Sequence, residues 1–596
     1  MRMLLTPRFA APALIGACLA GLSALTWRKW TDAWLDSGRE LYAAWRLSEG
    51  DVLYRDLASV HGSLSPYLNA LFFKAFGVCF DTLIFANFIL LAVSLALLYA
   101  IGRKLAGRWV ATATCALVVA LLGFSRLGDM GNFNFITPYS HAATHGLLLS
   151  LSAILCLSFH LERPSNVRIA AAGALLGLTF LTKVEIFVAA AAACYAAVCL
   201  RRPSLERRRS LFPELTLLTC ALASPVAAAA LLLAPRLGLN GAARGVLGPA
   251  FYALRMGVNP NPFYLWCAGF DNPGLRLAQA FGAFAKTAGF LSALAIADIW
   301  LSRRKAGAAA SWALAATTAG GLLIGLQLWP GLFHEAALGM SFLALVVVID
   351  DLRLARFART KEANAHAKMS FLFSAFALGL LAKIILNTRI YQYGFVLSFP
   401  AVALVAFVLL DRIPLRLAAG GASGGHFAAA MGACLVIWAG SVVRMTARVV
   451  GEATVAIGSG HDRFYDVSSA RSTVEAFALI EARVPPGATL AVIPEGLMLN
   501  YLTKRRNSVP YGALLPVEVE LFGEPAILAA FQRTPPDFVM LIHSDTSGLG
   551  ARYFGRDYAQ ALAAWLQEAY EPSAGIGAEP FASENFGMRL LRRRKK

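Results

Sequence analysis

The sequence carries little charge for its length. Of its 596 residues, 15% are charged and 58% are hydrophobic, whereas soluble domains carry about 25% charged residues. This shortage excludes an ordinary soluble protein and makes lipid the solvent for most of the chain. Long apolar runs recur from Phe9 to Arg444 and then stop. We therefore predict a transmembrane domain over residues 1–450 and a separate domain over residues 451–596.

Three further features are absent. The nine cysteines include no C-x-x-C pair, so we interpret them as small apolar packing residues. No small-residue cleavage site stands before Trp27, which indicates an uncleaved first helix rather than a signal peptide. No glycine-rich phosphate loop follows a strand in the C-terminal domain, so we expect no nucleotide site there.

Apolar runs near the length that crosses a bilayer, roughly 20 residues, predict about 13 transmembrane helices. They are 9–26, 83–101, 109–124, 141–160, 168–181, 184–200, 213–235, 282–301, 308–327, 331–350, 369–386, 392–410 and 425–444. The formal charge of +19 comes from short basic clusters between these runs. This is the positive-inside pattern of membrane proteins, and we expect no nucleic-acid partner.

The basic clusters fall on one side of the membrane when the N-terminus is placed in the cytoplasm. The cytoplasmic loops are then 102–108, 201–210, 302–306 and 351–368. The alternate short loops carry only Arg126, Lys183 and Arg389, so the charge bias is strong. We predict a multi-pass protein of the cytoplasmic, inner membrane whose C-terminal domain is extracytoplasmic.

The extracytoplasmic C-terminal domain alternates helical and strand patterns. The predicted pairs are a helix at 469–483 before a strand at 489–493, a helix at 523–533 before a strand at 538–542, and a helix at 557–570 before a strand near 588–591. This order predicts a small α/β domain beside an all-α polytopic membrane domain.

The first outer loop, residues 27–82, is the most informative segment. Apolar residues at helical spacing between Asp36 and Gly50 predict an amphipathic helix at the membrane surface that ends at the glycine. A second surface helix is predicted from Pro66 to Phe76, before Gly77.

This loop resembles that of the GT-C glycosyltransferases, which include protein O-mannosyltransferases and lipid A aminoarabinose transferases. The shared features are an acidic residue after the first span, here Asp36, a helix ending at Gly50, and a Pro-containing helix ending in Phe76-Gly77. The segment from Gly173 to Glu185 is similar to the family's paired short helices joined at a lysine, here Lys183. The resemblance implies a GT-C fold and the inverting transfer of a sugar from a polyprenyl-phosphate donor to an envelope lipid, glycan or protein.

The resemblance implies carboxylate catalysis in this loop. Asp36 matches the family's acidic position and is assigned as the base that deprotonates the acceptor. A solvated acid that caps the surface helix is the structural alternative, and Asp32 is the alternative base. Asp56 is the predicted second carboxylate, or else a turn residue.

Cationic side chains are expected to bind the donor phosphate. Arg39, one helical turn beyond Asp36, would hold the carboxylate or contact the phosphate, or form an ordinary ion pair. Lys183 interrupts two apolar runs, and phosphate binding and pairing with Glu185 are equally compatible with it. Arg389, beside Tyr391 and Tyr393, is a second candidate or an interface anchor.

One departure from the aminoarabinose transferases concerns the phosphate. Those enzymes have an acid-Lys-Pro-Pro stretch where this chain has Val60-His61-Gly62-Ser63. In the resemblance, His61 takes the place of the lysine as a substrate-binding residue.

No metal site is favoured, although a divalent ion would be compatible with such an enzyme. His141 and His145 have a spacing that permits ligation, but no third ligand lies near them in the sequence, and polar helix contacts are the preferred interpretation. Asp129 is a weaker candidate for a divalent ion. His334 and Glu335 would line a cavity or cap a helix.

Two other functions fit the same helices. A transporter or flippase of a lipid-linked substrate would share the basic inner loops, although no internal repeat of the kind common in transporters is evident. A scaffold that has lost its chemistry would be consistent with the changed stretch at Val60-His61-Gly62.

Overall fold

The apolar runs of the sequence form helices, which satisfy their own backbone hydrogen bonds as lipid requires. A computed structural model describes residues 7–34, 36–128, 131–200, 211–258, 261–329 and 331–595. Within these ranges, eight helices are long and apolar enough to cross a membrane, and four shorter helices are also apolar. With the small sheet near the C-terminus, this confirms the predicted class of a helical, multi-pass membrane protein with a small C-terminal α/β domain.

The first part of the chain contains nine labelled helices within the described residues. They are α1 (Pro7–Thr26), α2 (Ser37–Ser48), α3 (Leu64–Phe76), α4 (Phe80–Leu105), α5 (Arg108–Val118), α6 (His141–Glu162), α7 (Asn166–Phe180), α8 (Val184–Cys199) and α9 (Leu211–Val258). A π-helical turn, Val119–Gly123, extends α5. Helix α9 bends at Gly238, whose φ is 71°. The connection between the predicted spans 213–235 and 282–301 is therefore mostly helical in its described residues, because α9 continues past the end of the first of these spans.

The second part of the membrane region follows the predicted runs with more interruptions. Its helices are α10 (Pro262–Ala268), α11 (Pro273–Arg303), α12 (Ala308–Leu328), α13 (Leu332–Leu338), α14 (Met340–Phe357), α15 (Lys361–Leu381), α16 (Gly394–Leu397), α17 (Phe399–Phe407), α18 (Ile413–Ala419) and α19 (Gly425–Glu452). A 3-10 turn, Ala382–Ile384, follows α15, and a π-helical turn, Val408–Arg412, joins α17 to α18. The predicted span 331–350 is divided at Gly339 between α13 and α14.

Small residues let the membrane helices approach closely. A Cβ atom at Gly173 of α7 would lie 2.4 Å from the carbonyl oxygen of Leu218 in α9, and one at Gly177 would lie 2.1 Å from that of Leu222. Contacts of this kind allow backbones to pack without a hydrophobic driving force between helices. Helix α7 is thereby fixed against α9, and its C-terminal end leads directly to Lys183.

The C-terminal domain contains the predicted helices and strands, together with three further strands. Its elements are β1 (Val455–Ile457), β2 (Phe464–Asp466), α20 (Arg471–Arg483), β3 (Leu490–Ile493), α21 (Leu497–Thr503), α22 (Pro516–Phe522), α23 (Glu524–Arg533), β4 (Phe538–Ile542), α24 (Gln560–Ala569), β5 (Tyr570–Gly577) and β6 (Gly587–Arg593). The main sheet has the order β3-β4-β6-β5. Strands β3 and β4 are parallel, whereas β6 runs antiparallel to both β4 and β5.

The first loop has the two predicted helices but not the predicted surroundings. Helix α2 ends before Gly50, whose φ of 105° suits glycine. Most of α2 is buried, including Tyr42, Trp45 and the charged Arg46, because α3 and α21 pack against it. The expected surface helix is thus enclosed between the membrane domain and the C-terminal domain. The first loop and the C-terminal domain lie on the same side of the molecule.

Candidate active site

Asp36 occupies a strained position at the N-cap of α2. Its backbone has φ 50° and ψ −53°, and positive φ is uncommon for a residue with a side chain. The carboxyl makes no capping hydrogen bond, so it does not act as the helix-capping acid that was the structural alternative. Burial raises the pKa of Asp36 to about 7, against the opposing effect of Arg39. Such strained, partly desolvated carboxyls are typical of functional sites.

Arg39, one turn further along α2, is held by the C-terminal domain. Its Nη2 donates to Oε1 of Glu495, which follows β3, at 3.1 Å, and its Nη1 lies 3.4 Å from Oε1 of Glu518 on α22. Oε1 of Glu495 also lies 3.5 Å from the backbone nitrogen of Asp36. Among the described residues, Nε of Arg39 is buried without a hydrogen-bond partner.

Glu40 is a second buried carboxyl on α2. It accepts a hydrogen bond from the backbone N–H of His141, and burial raises its pKa to about 7. His141 is the first residue of α6, where free backbone N–H groups favour a negative charge. Glu40 therefore connects α2 to the N-terminal end of a membrane helix, close to Asp36.

The Val60-His61-Gly62-Ser63 stretch is attached to the junction between α7 and α8. The Gly62 N–H donates to the carbonyl of Thr182, and the Leu64 N–H donates to that of Leu181, both at 2.9 Å. A Cβ atom at Gly62 would lie 2.2 Å from the Leu181 oxygen. This places His61 beside Lys183. Burial, helped by that lysine, lowers the pKa of His61 to about 3, so at neutral pH this residue offers hydrogen bonds rather than a positive charge.

Two lysines share one carboxylate next to His61. Lys183 is buried, and its Nζ donates to the Tyr139 hydroxyl at 2.7 Å and lies 3.8 Å from Glu185. Lys383, in the turn after α15, pairs with the same Glu185 at 2.7 Å. Two ammonium groups against one carboxylate leave a net positive charge. Lys183 therefore makes the predicted pair with Glu185, and its binding of phosphate stays a prediction.

Arg389 and Tyr391 lie in a neighbouring group of their own. Arg389 is fully buried, donates to the carbonyls of Cys267 and Asn387, and stacks on Trp266 with 4.6 Å to the ring centroid. Its Nε and Nη2 are buried without partners in the described part of the chain. Tyr391 contacts the ring of His334. Phe263, one turn of α10 before Trp266, packs on Tyr393. Tyr393 in turn packs on Tyr139, which binds Lys183. Aromatic rings therefore connect the Arg389 group to the lysine pair.

Asp56 lies apart from these groups. Its Oδ2 accepts from the Val52 N–H at 2.8 Å, and it pairs with Arg55. The guanidinium of Arg55 lowers the pKa of Asp56, so the carboxyl is ionised at neutral pH. These contacts close the turn after α2, which is the alternative role that the sequence allowed.

The other sequence candidates form contacts within the protein. His141 bonds to Asn69 and Asn87, and His145 bonds to Ser65. Asp32 accepts from the Trp34 N–H, and Glu335 pairs with Lys286. Asp129 lies outside the described residues. Over the residues that are described, no cluster of three or more His, Cys, Asp or Glu side chains is arranged to hold a metal ion.

Several site residues have no local signal in the sequence. Glu495, in a loop, and Glu518, on α22, lie more than 450 residues after Arg39. Their sequence surroundings do not distinguish them from ordinary surface carboxylates. Lys383 ends an apolar run and resembles an interface anchor. Glu40 could have been found, because it lies four residues after Asp36 and so on the same side of the helix.

A comparison with protein-family models matches the chain from the second half of the first loop to α9. Residues 60–228 match the family model described as dolichyl-phosphate-mannose-protein mannosyltransferase. No curated protein matches the chain. The match covers less than a third of the 596 residues, and it agrees with the resemblance to the GT-C glycosyltransferases.

Solved structures of low sequence identity are also similar. The apo oligosaccharyltransferase from Archaeoglobus fulgidus has a TM-score of 0.49 at 12% identity, covering 91% of this chain and 70% of that chain. ArnT from Cupriavidus metallidurans bound to undecaprenyl phosphate has a TM-score of 0.46 at 11% identity, covering 98% of both chains. The arabinofuranosyltransferase AftD from Mycobacteria has a TM-score of 0.34 at 12% identity, covering 99% of this chain and 40% of that chain.

Proposed function

We propose that the protein is an inverting glycosyltransferase that moves a sugar from a polyprenyl-phosphate donor to an acceptor on the outer face of the cytoplasmic membrane. The acceptor class is an envelope lipid, glycan or protein. The observation that carries this proposal is the setting of Asp36: a strained, partly buried carboxyl that neither caps its helix nor closes an ion pair within 4 Å among the described residues. The family match, which names a dolichyl-phosphate sugar as donor, supports the lipid phosphate.

Asp36 acts as the general base in this mechanism. The acceptor hydroxyl or amine attacks the anomeric carbon of the sugar while its proton passes to the Asp36 carboxylate. The bond between the anomeric carbon and the phosphate oxygen breaks, and its electron pair leaves with the polyprenyl phosphate. Attack opposite the leaving group inverts the anomeric configuration, as the family resemblance implies.

The lysine pair stabilises the departing phosphate. Lys183 and Lys383 flank Glu185 with one positive charge in excess, and preorganised cations are effective where negative charge develops. His61 adds a neutral hydrogen-bonding group at the same place. Arg389 is the second phosphate candidate, because two of its nitrogens are buried without partners among the described residues.

Substitution of the base tests the proposal directly. Full-length protein in proteoliposomes is supplied with a panel of polyprenyl-phosphate hexoses and pentoses and with envelope extract as the acceptor source, and release of polyprenyl phosphate is measured by mass spectrometry. We expect Asp36→Asn to lower the release by at least about a hundredfold, the usual contribution of a general base. Donor binding and thermal stability should be retained.

The control is Glu475→Gln, the same chemical change at an exposed position on α20, which should leave the rate near that of the wild type. Wild-type activity in Asp36→Asn would contradict the assignment of the base. Accumulation of donor inside the vesicles without any covalent product would contradict the transferase and favour a transporter.

A further inference from the structure

The C-terminal domain reaches into the candidate active site through two carboxylates. Glu495 and Glu518 both contact the guanidinium of Arg39, and their side chains are 12% and 15% exposed. The docking is close, because a Cβ atom at Gly38 would lie 2.2 Å from the backbone nitrogen of Met498. Helix α2 thus begins directly against the start of α21, and the position of Asp36 depends on this contact.

The titratable groups around Asp36 come from three parts of the molecule. On α2 itself they are Arg39 and Glu40, and from the C-terminal domain they are Glu495 and Glu518. The membrane domain adds the hydroxyl groups of Tyr139 and Tyr393, which are close enough to interact with Asp36. Three carboxylates and one guanidinium therefore surround the proposed base.

We propose that Glu518 and Glu495 are positioning residues of the transfer reaction, which hold the Arg39 guanidinium on the C-terminal domain and so leave Asp36 an unpaired, basic carboxylate. This inference rests on the proposed function. Within the described residues, Arg39 forms its ion pairs with these two glutamates rather than with Asp36. The C-terminal domain then contributes these two side chains to the active site.

The physical reason lies in the competition for Arg39. A guanidinium one helical turn from a carboxylate is near enough to pair with it, and pairing with a cation lowers the pKa of a carboxyl. A base with a lowered pKa accepts a proton less readily from the acceptor. Two glutamates compete with Asp36 for the same cation, and their own negative charges raise the Asp36 pKa further, in addition to the larger effect of burial.

The guanidinium of Arg39 carries five N–H donors, and the two glutamates do not use all of them. Its two terminal nitrogens face the glutamates, whereas Nε is buried without a partner among the described residues. The cavity between α2 and the C-terminal domain includes Arg39 and Glu518 in its lining, together with His61. A substrate hydroxyl in this cavity would be held by a guanidinium whose place is set by the C-terminal domain.

The test is the pH dependence of kcat/KM in full-length protein in proteoliposomes, with the polyprenyl-phosphate hexose or pentose that gives the highest release. A base must be deprotonated, so wild-type kcat/KM should fall about tenfold per pH unit below a midpoint near 7. Glu518→Gln removes a negative charge and frees one side of Arg39. We expect it to move the midpoint to lower pH by about one unit and to lower the plateau, and the double variant with Glu495→Gln should move it further.

Conservative and remote variants separate this role from a structural one. Glu518→Asp keeps the charge and should restore the wild-type midpoint, and Glu475→Gln on α20 should not move it. A rate that is lower at every pH with an unchanged midpoint in Glu518→Gln would overturn the positioning role. If wild-type protein releases no polyprenyl phosphate from any donor, the proposed function itself fails, which is a distinct result.

Discussion

At the scale of single residues, the two aspartates of the first loop have opposite settings. Asp56 is committed to local contacts with the Val52 N–H and Arg55, and this lowers its pKa. Asp36 makes no capping bond and has its pKa raised to about 7 by burial. A carboxyl that is ionised and already bonded is a poor base, whereas one that titrates near neutral pH is well suited to proton transfer.

This contrast predicts the effect of Asp56→Ala. The variant loses one backbone hydrogen bond and a half-exposed ion pair, so we expect a loss of about 1 kcal/mol in stability, measured as a lower thermal transition in detergent. Transfer per folded molecule should fall by less than about tenfold, because the residue would not take part in proton transfer. A loss of about a hundredfold or more would instead support the second catalytic carboxylate that the sequence suggested.

At the scale of elements, the first loop and the α7–α8 junction behave as one unit. Two backbone hydrogen bonds connect Gly62 and Leu64 to Thr182 and Leu181. The next residue is Lys183, so the Val60-His61-Gly62-Ser63 stretch lies directly beside this buried lysine. Glycine is required at residue 62 because any larger side chain would overlap the Leu181 carbonyl.

Gly62→Ala tests this connection. Overlap with a backbone atom at 2.2 Å should force the loop and the junction apart, at a cost of about 1–3 kcal/mol. We expect a lower thermal transition and a higher KM for the donor, since Lys183 moves with the junction. The matched control is Gly432→Ala in α19, where an added Cβ atom meets nothing within 4 Å; an equal effect of both changes would contradict the argument.

At the scale of the whole molecule, the first loop and the C-terminal domain form one body on one side of the membrane region. Arg28 pairs with Asp81, which His461 also contacts, and the buried Arg126 pairs with Asp466. The contacts of His461 and Asp466 join residues more than 300 positions apart. They require the C-terminal domain to lie on the same side of the membrane as Asp81 and Arg126. The 13 predicted spans also place both segments on the same side, so the span parity and the packing agree.

The orientation itself is tested by cysteine labelling in a variant whose nine native cysteines are replaced. We expect a membrane-impermeant maleimide to label Glu475→Cys, on the C-terminal domain, in sealed right-side-out vesicles. Lys305→Cys, in a predicted cytoplasmic loop, should be labelled only after permeabilisation, because the positive-inside rule keeps basic loops in the cytoplasm. The reverse pattern would place the proposed active site on the cytoplasmic face.

The sequence by itself determined the membrane class and the approximate places of the helices. Both follow from local properties: apolar length, which must match the bilayer, and the distribution of basic residues. The resemblance to the GT-C glycosyltransferases indicated Asp36, whereas Lys183 was indicated by the residues themselves, because a charge that interrupts apolar runs is costly. Helix α2 was predicted within a few residues of its ends, since its pattern and Gly50 are local signals.

The tertiary structure alone decided which charges act together. Glu495, Glu518 and Lys383 join Asp36, Arg39 and Lys183 only through packing of distant segments, and no residue pattern encodes such meetings. The burial of α2 was likewise outside the reach of the sequence, because an amphipathic helix can present its polar side to water or to another domain. Burial and neighbouring charge set the basicity of a carboxyl, so the pKa of Asp36 depends on the C-terminal glutamates that lie beside it.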